Sequence, residues 1–170
     1  MNKDQFYIDY SDKYISTNKN STKHSWPCFY ALKDDDEDIY WMIPISSKVN
    51  KYKKYYYNKI SKYGKCDTLV FGDVLGYEKA FLIQNMFLVS SKYIDNEYLD
   101  CDNIPVRINY KLEKTLVKKA NKILVLERKG VHLLFPDNIN IETKLKNPFN
   151  WIMFNFRDSF IILRNRFDSL

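Results

Sequence analysis

Between Lys48 and Lys65 the chain places seven lysines and no acidic residue. Val49, Tyr52, Tyr56, Ile60 and Tyr63 recur in the same stretch at spacings of three and four. That period is one apolar face of a helix, because residues three and four apart stand one above the other. Lys51, Lys53, Lys54, Lys59 and Lys62 fall mostly off the stripe. Gly64 stands where a left-handed residue would end the helix. The segment therefore predicts an amphipathic helix that lays tyrosines on something apolar and turns a strongly positive face outward.

Strand patterns surround this helix. Phe6–Tyr10 reads as a first strand, and the polar Ser11–Ser25 as irregular chain. Pro27 opens a strand over Cys28–Lys33, the acidic run Asp34–Asp38 is its turn, and Ile39–Ile45 returns. Thr68–Leu75 and Lys79–Val89 form two more strands, with Gly76 in the turn between them. Asn103 and Pro105 mark the start of a long helix that runs to about Lys129. It carries Leu112, Leu116, Ala120, Ile123 and Leu124 on one face, and Gly130 closes it. In the tail, Pro148 opens a last helix with Trp151, Phe154, Ile161 and Ile162. Strands and helices come in groups rather than alternating, so the expected class is α+β with an antiparallel sheet. The 170 residues predict a single domain, with 131–170 as a C-terminal extension.

Composition removes several functions. The longest apolar runs, near Ala80–Ile83 and Met86–Val89, are far shorter than the roughly 20 residues of a membrane span. Met1–Gln5 has no apolar h-region, so no secretory signal is expected. Cys28, Cys66 and Cys101 are scattered and odd in number, which suits a reducing cytoplasmic setting better than a disulfide framework. With two His and neither a CxxC nor a HExxH pattern, a zinc site is not expected. There is no Walker-type or GxGxxG loop to cradle a nucleotide cofactor, so no cofactor is expected. What stands out is 14 Tyr and 11 Phe in a chain of net charge +6. Positive charge interleaved with aromatic rings suits a polyanion with unstacked bases.

The best local candidate for chemistry is Pro44-Ile45-Ser46-Ser47-Lys48, where a strand ends and the lysine-rich helix begins. Ser46 or Ser47 is a natural N-cap. Helix N-terminal amides, two hydroxyls and a lysine together make a phosphate seat. The plainer reading is a helix cap beside a solvated lysine. Lys23 and His24 form a second candidate in the loop before the Pro27 strand, where His could move a proton and Lys could hold a phosphate. His132, among Val131, Leu133 and Leu134, reads as part of a strand or core edge. The Tyr52–Tyr57 and Lys51–Lys62 interleaving, with Lys51, Tyr52, Lys53 and Lys54 at its head, could grip a single strand by stacking and charge, although the helical period also gives Tyr52 and Tyr56 to the core. The long helix adds Lys111, Lys114, Lys118, Lys119 and Lys122 against the single acid Glu113.

Four segments, in order, resemble the ToxN/AbiQ family, the endoribonuclease toxins of type III toxin–antitoxin systems. Phe6-Tyr7-Ile8 with Lys13-Tyr14-Ile15 is similar to the family's opening strand and turn, and Pro27-Cys28-Phe29-Tyr30 to its second strand. Pro44-Ile45-Ser46-Ser47-Lys48 resembles its Pro-Leu-Thr-Ser-Pro-Lys active-site segment, with no Pro before the lysine here. Phe81-Leu82-Ile83-Gln84-Asn85-Met86-Phe87 resembles a further strand. The resemblance spans roughly the first 130 residues; the last forty have no counterpart in it.

The resemblance implies a strongly curved antiparallel sheet packed with helices, similar to the Kid/MazF-type toxin fold. It also implies metal-independent RNA cleavage to a 2′,3′-cyclic phosphate, inhibition by a structured repeat RNA antitoxin in a closed protein–RNA assembly, and a role in phage abortive infection or plasmid maintenance. On that basis Ser47 would orient the 2′-hydroxyl or phosphate, Lys48 would stabilise charge or assist proton transfer, and Ser46 would take the place of the family's Thr. His24 or Lys23 would complete the site. Two other readings stand beside it: a non-catalytic RNA-binding protein using the same basic face, and a protein-interaction module docking through Trp151–Leu163.

Overall fold

The computed structural model describes Phe6, Tyr10 and residues 12–15, 27–34, 38–94 and 97–146. Two compact units divide the chain, Met1–Asp137 and Asn138–Leu170. The first holds five strands: β1 (Cys28–Asp34), β2 (Ile39–Ser46), β3 (Leu69–Val74), β4 (Tyr77–Leu82) and β5 (Phe87–Ser90). Between β2 and β3 runs α1 (Val49–Tyr63), and after β5 comes α2 (Tyr110–Arg128). In the second unit the described element is α3 (Asn138–Lys146), braced by a Lys146–Glu142 pair at 2.8 Å; the sequence patterns did not predict it. The last helix expected after Pro148 lies outside the described residues.

The class is α+β, with a strongly curled antiparallel sheet. The curl has a local cause. β2 pairs along one side with β1, and on the other it is shared by β5 and β4. Met42 lies opposite Phe87 and Ile45 opposite Phe81, so three steps along β2 face six along its partner. The surplus is taken up by a 3₁₀ turn, Ile83–Asn85, which splits the single strand expected over Lys79–Val89. A surplus on one side of a ladder bends and twists the sheet. β1 adds a second irregularity: its pairing with β2 shifts between Tyr30 and Leu32, and Ala31 is buried there.

Strand periodicity sends the two helices to opposite faces. Val70 and Val74 of β3, Phe81 of β4 and Ile43 and Ile45 of β2 meet Leu112, Leu116, Ala120 and Ile123 of α2. The alternate residues Leu69, Phe71, Ala80 and Leu82 meet Tyr52, Tyr56 and Ile60 of α1. Tyr56 stands edge-on to Phe71, with ring centroids 5.6 Å apart. No residue of α1 is fully buried. Its outer face is therefore free to be chosen for something other than packing. Gly64 ends α1 in the left-handed conformation (φ 71°) and donates its N–H to Ile60 O at 2.8 Å, as its sequence position predicts.

Gly72 lets α2 sit close to the sheet. A Cβ there would stand 2.3 Å from Leu112 Cδ2 and 3.0 Å from Leu112 Cγ. Gly72→Ala is therefore expected to cost about 1–3 kcal/mol by overpacking. In chemical denaturation, Gly72→Ala/Leu112→Ala should be more stable than the sum of its two single variants predicts. Strict additivity would show that the approach is not tight.

Three expectations are corrected. The N-terminal strand is instead a helical turn where it is described: Tyr10 N–H donates to Phe6 O at 2.8 Å. Phe6 and Tyr10 pack on Tyr93, with Phe6 also against Phe87, so aromatic content rather than strand pairing anchors them. The long helix begins at Tyr110, not near Asn103. Asn109 caps it, accepting Leu112 N–H at 2.9 Å. Asn103 sits in a tight turn at φ 60°, where Asp100 Oδ1 accepts the amides of Asp102 and Ile104, and Pro105 bridges to Leu99. His132 is not core: its side chain is 77 % exposed, with Nδ1 3.4 Å from Glu127.

Candidate functional site

β2 ends at Ser46, which is buried at 3 % exposure and paired with Ala80 of β4. Its hydroxyl accepts the Lys48 N–H at 3.2 Å. Ser46 thus fixes the turn from strand to helix, and Ser47 and Lys48 are left exposed at its crest. Val49 N–H donates to Ser47 O at 2.9 Å, and Tyr52 N–H reaches Lys48 O at 3.3 Å. The first turn of α1 carries no acidic residue. An exposed serine, an exposed lysine and the start of a helix are therefore adjacent in the chain, a combination that favours a bound anion. Lys23 and His24, expected to complete this point, lie outside the described residues.

The lysines separate into two groups. Lys51 and Lys54 of α1 are exposed and have no acidic partner among the described residues. Lys53 instead pairs with Glu78 at 2.7 Å, with its ammonium 5.8 Å from the centre of the Phe71 ring. Lys59, expected on the wet face, turns under the helix and donates to Thr68 Oγ1 at 2.7 Å and Gln84 Oε1 at 2.9 Å. On α2, Lys111, Lys114 and Lys118 are exposed on the side opposite the buried stripe. Lys119 donates to Cys66 O at 2.8 Å, and Lys122 is hydrogen-bonded to Asp67. Those last two tie α2 to the start of β3. Because α1 and α2 cover opposite faces of the sheet, their free lysines form two surfaces rather than one groove.

The tyrosines of the lysine-rich helix divide as the helical period expects. Tyr52 packs on the core, with Lys51 5.7 Å from its ring. Tyr55, Tyr57 and Tyr63 are the exposed rings. Lys51, Tyr55, Asn58 and Lys62 follow one another at spacings of four, three and four, so they line one outward stripe of α1. The signal was present: a 3.6-residue period that buries Tyr52 and Tyr56 must expose Tyr55.

The Lys122 hydrogen bond holds the Asp67 carboxyl below its ordinary pKa against the opposing effect of burial, and the charges of Lys122, Lys119 and Lys65 add to it. A lowered carboxyl contributes stability above its unfolded pKa and loses it as pH falls through the folded one. Asp67→Asn should therefore lower Tm at pH 7, and the gap to the parent protein should close in acid. A gap independent of pH would refute that linkage.

A cavity of about 580 Å³ opens between β1 and residues 97–108, lined among others by Phe29, Tyr30, Tyr40, Tyr98, Arg107 and Glu113. No group of His, Cys, Asp and Glu among the described residues is arranged to hold a metal ion, and no helix there is long and apolar enough to cross a membrane. Neither protein-family models nor curated proteins match this sequence.

Proposed function

We propose that this chain is a metal-independent, sequence-preferring endoribonuclease toxin of the type III kind, acting in the cytoplasm and held inactive by a repeat RNA in a closed protein–RNA assembly. The observation that carries the reading is the junction of β2 and α1. There Ser47, Lys48 and an acid-free helix start are exposed together, beside a stripe of lysine and tyrosine. The likeness of Pro44–Lys48 to the ToxN/AbiQ active-site segment supports it, and the Kid/MazF-like fold is the arrangement this reading assigns to the curled sheet. Such a toxin would serve phage abortive infection or plasmid maintenance.

In the reaction, the 2′-oxygen attacks the adjacent phosphorus. The P–O2′ bond forms, the P–O5′ bond breaks, and the 5′-oxygen leaves with a proton. Lys48 would stabilise the negative charge of the phosphorane, as preorganised donors do where charge develops. Ser47 would orient the 2′-hydroxyl or a phosphate oxygen, and the site would be completed by His24 moving the proton or Lys23 holding the phosphate. Lys51, Tyr55 and Lys62 would hold the flanking strand by charge and stacking.

The second reading, RNA binding without cleavage, draws on Ser46: its buried hydroxyl is taken up by the Lys48 N–H at the strand end, although the N-cap of α1 is Lys48, with no side-chain cap bond, rather than Ser46 or Ser47. Inducible expression with mapping of RNA ends separates the two. New, sequence-specific ends that weaken in Ser47→Ala and are lost in Lys48→Ala support the nuclease. A parent protein that binds RNA yet yields no new ends supports binding alone.

A further inference from the structure

β1 is an outer strand of the sheet, and residues 97–108 run beside it. That segment is held in shape by its own bonds. Val106 N–H donates to Tyr98 O at 2.8 Å, Asp100 N–H to Ile104 O at 3.0 Å, and Arg107 pairs with Glu97 at 3.1 Å. The cavity between them is walled by Phe29, Tyr30, Tyr40 and Tyr98. Tyr30 and Tyr40 stand edge to face, 5.6 Å between centroids, and Tyr30 and Tyr98 are about half exposed. Aromatic walls of this kind take a flat ring.

The polar groups at the cavity decide which ring. Arg107 is already neutralised by Glu97. Glu113, in the first turn of α2, also lines the cavity, and its carboxylate has no hydrogen-bond or ion-pair partner among the described residues. Two carboxylates against one guanidinium disfavour a phosphate inside and favour a group that offers N–H donors. Among the bases, guanine offers two adjacent donors, N1–H and N2–H, which match both oxygens of a carboxylate. Adenine and cytosine offer an exocyclic amine beside a ring acceptor, and uracil one N–H between two carbonyls. Unstacked bases are read in this way, by stacking on aromatic side chains and hydrogen bonds to the base edge.

The cavity also adjoins the proposed phosphate seat. Ile45 lines it and lies two residues before Ser47, about 7 Å along an extended strand. We infer that this cavity is a guanine-reading pocket, in which Glu113 accepts from the base edge and Tyr30, Tyr40 and Tyr98 supply the walls. The inference deepens the RNA reading and rests on it for its biological setting. The pocket's affinity for a base does not depend on cleavage.

The test uses the whole protein and free nucleosides, which have no phosphodiester to cut. Guanosine, adenosine, cytidine and uridine are titrated separately by calorimetry against the parent, Glu113→Gln, Tyr98→Ala and Lys48→Ala, each checked for folding by circular dichroism. Guanosine should bind about tenfold tighter than the other three, one bidentate pair's worth of discrimination. Glu113→Gln, which keeps the shape and replaces one acceptor by a donor, should remove that preference. Tyr98→Ala should weaken all four nucleosides, and Lys48→Ala should change none. Equal affinities for the four nucleosides, no binding of any, or a guanosine preference that survives Glu113→Gln would overturn the pocket. A failed nuclease assay would leave these titrations as they stand.

Discussion

Lys48→Ala should cut RNA at least about a hundredfold more slowly than the parent protein, the scale set by removing one preorganised donor from a site of developing charge. Its affinity for the same RNA should barely change, because Lys51, Lys54 and Lys62 remain on the same helix. Losing one phosphate contact lowers the slope of log affinity against log salt by about one and leaves the rest of the surface intact. Ser47→Ala, which removes a neutral hydroxyl, should cost about tenfold, the worth of one hydrogen bond. Single-turnover cleavage with RNA-saturated protein measures both. A fall in affinity as large as the fall in rate would make Lys48 a binding residue only.

Leu116→Ala should give the largest loss of stability, about 3 kcal/mol. Leu116 has no exposed surface and joins α2 to both halves of the sheet through Ile43, Ile45, Val70 and Phe81. Truncating a buried leucine loses its transfer free energy and leaves a cavity that close-packed neighbours fill only in part. On the other face of the sheet, Tyr55→Ala should change stability by less than about 0.5 kcal/mol, because the residue is about half exposed and lies outside the buried core. Denaturant unfolding compares the two. If Tyr55→Ala cost as much as Leu116→Ala, α1 would be a packing element and its outer face no candidate for RNA.

The sequence showed most clearly those parts set by local periodicity. The Val49–Tyr63 helix, its Gly64 end and the apolar stripe Leu112–Leu116–Ala120–Ile123 all follow from a 3.6-residue repeat. The features it concealed depend on distant partners. Lys59 looks like a surface lysine until Thr68 and Gln84 are placed beneath it, and Lys122 until Asp67 is. The Lys79–Val89 pattern hid the Ile83–Asn85 turn because the polar pair Gln84-Asn85 interrupts the apolar run for only two residues before Met86 resumes it. Only the unequal spacing against β2 exposes the break. Of the candidate site, the Ser46–Lys48 junction was legible as a strand end meeting a helix start. The cavity beside β1 was not, since Tyr30, Tyr98 and Glu113 are far apart in sequence and share no motif.

The most direct measurement of the central claim is cleavage of a defined RNA by the purified protein in excess EDTA, with the chemistry of both new ends determined. The account predicts specific cuts bearing a 2′,3′-cyclic phosphate and a 5′-hydroxyl, abolished in Lys48→Ala. RNA that is bound but left whole, or cuts that persist undiminished in Lys48→Ala, would contradict it.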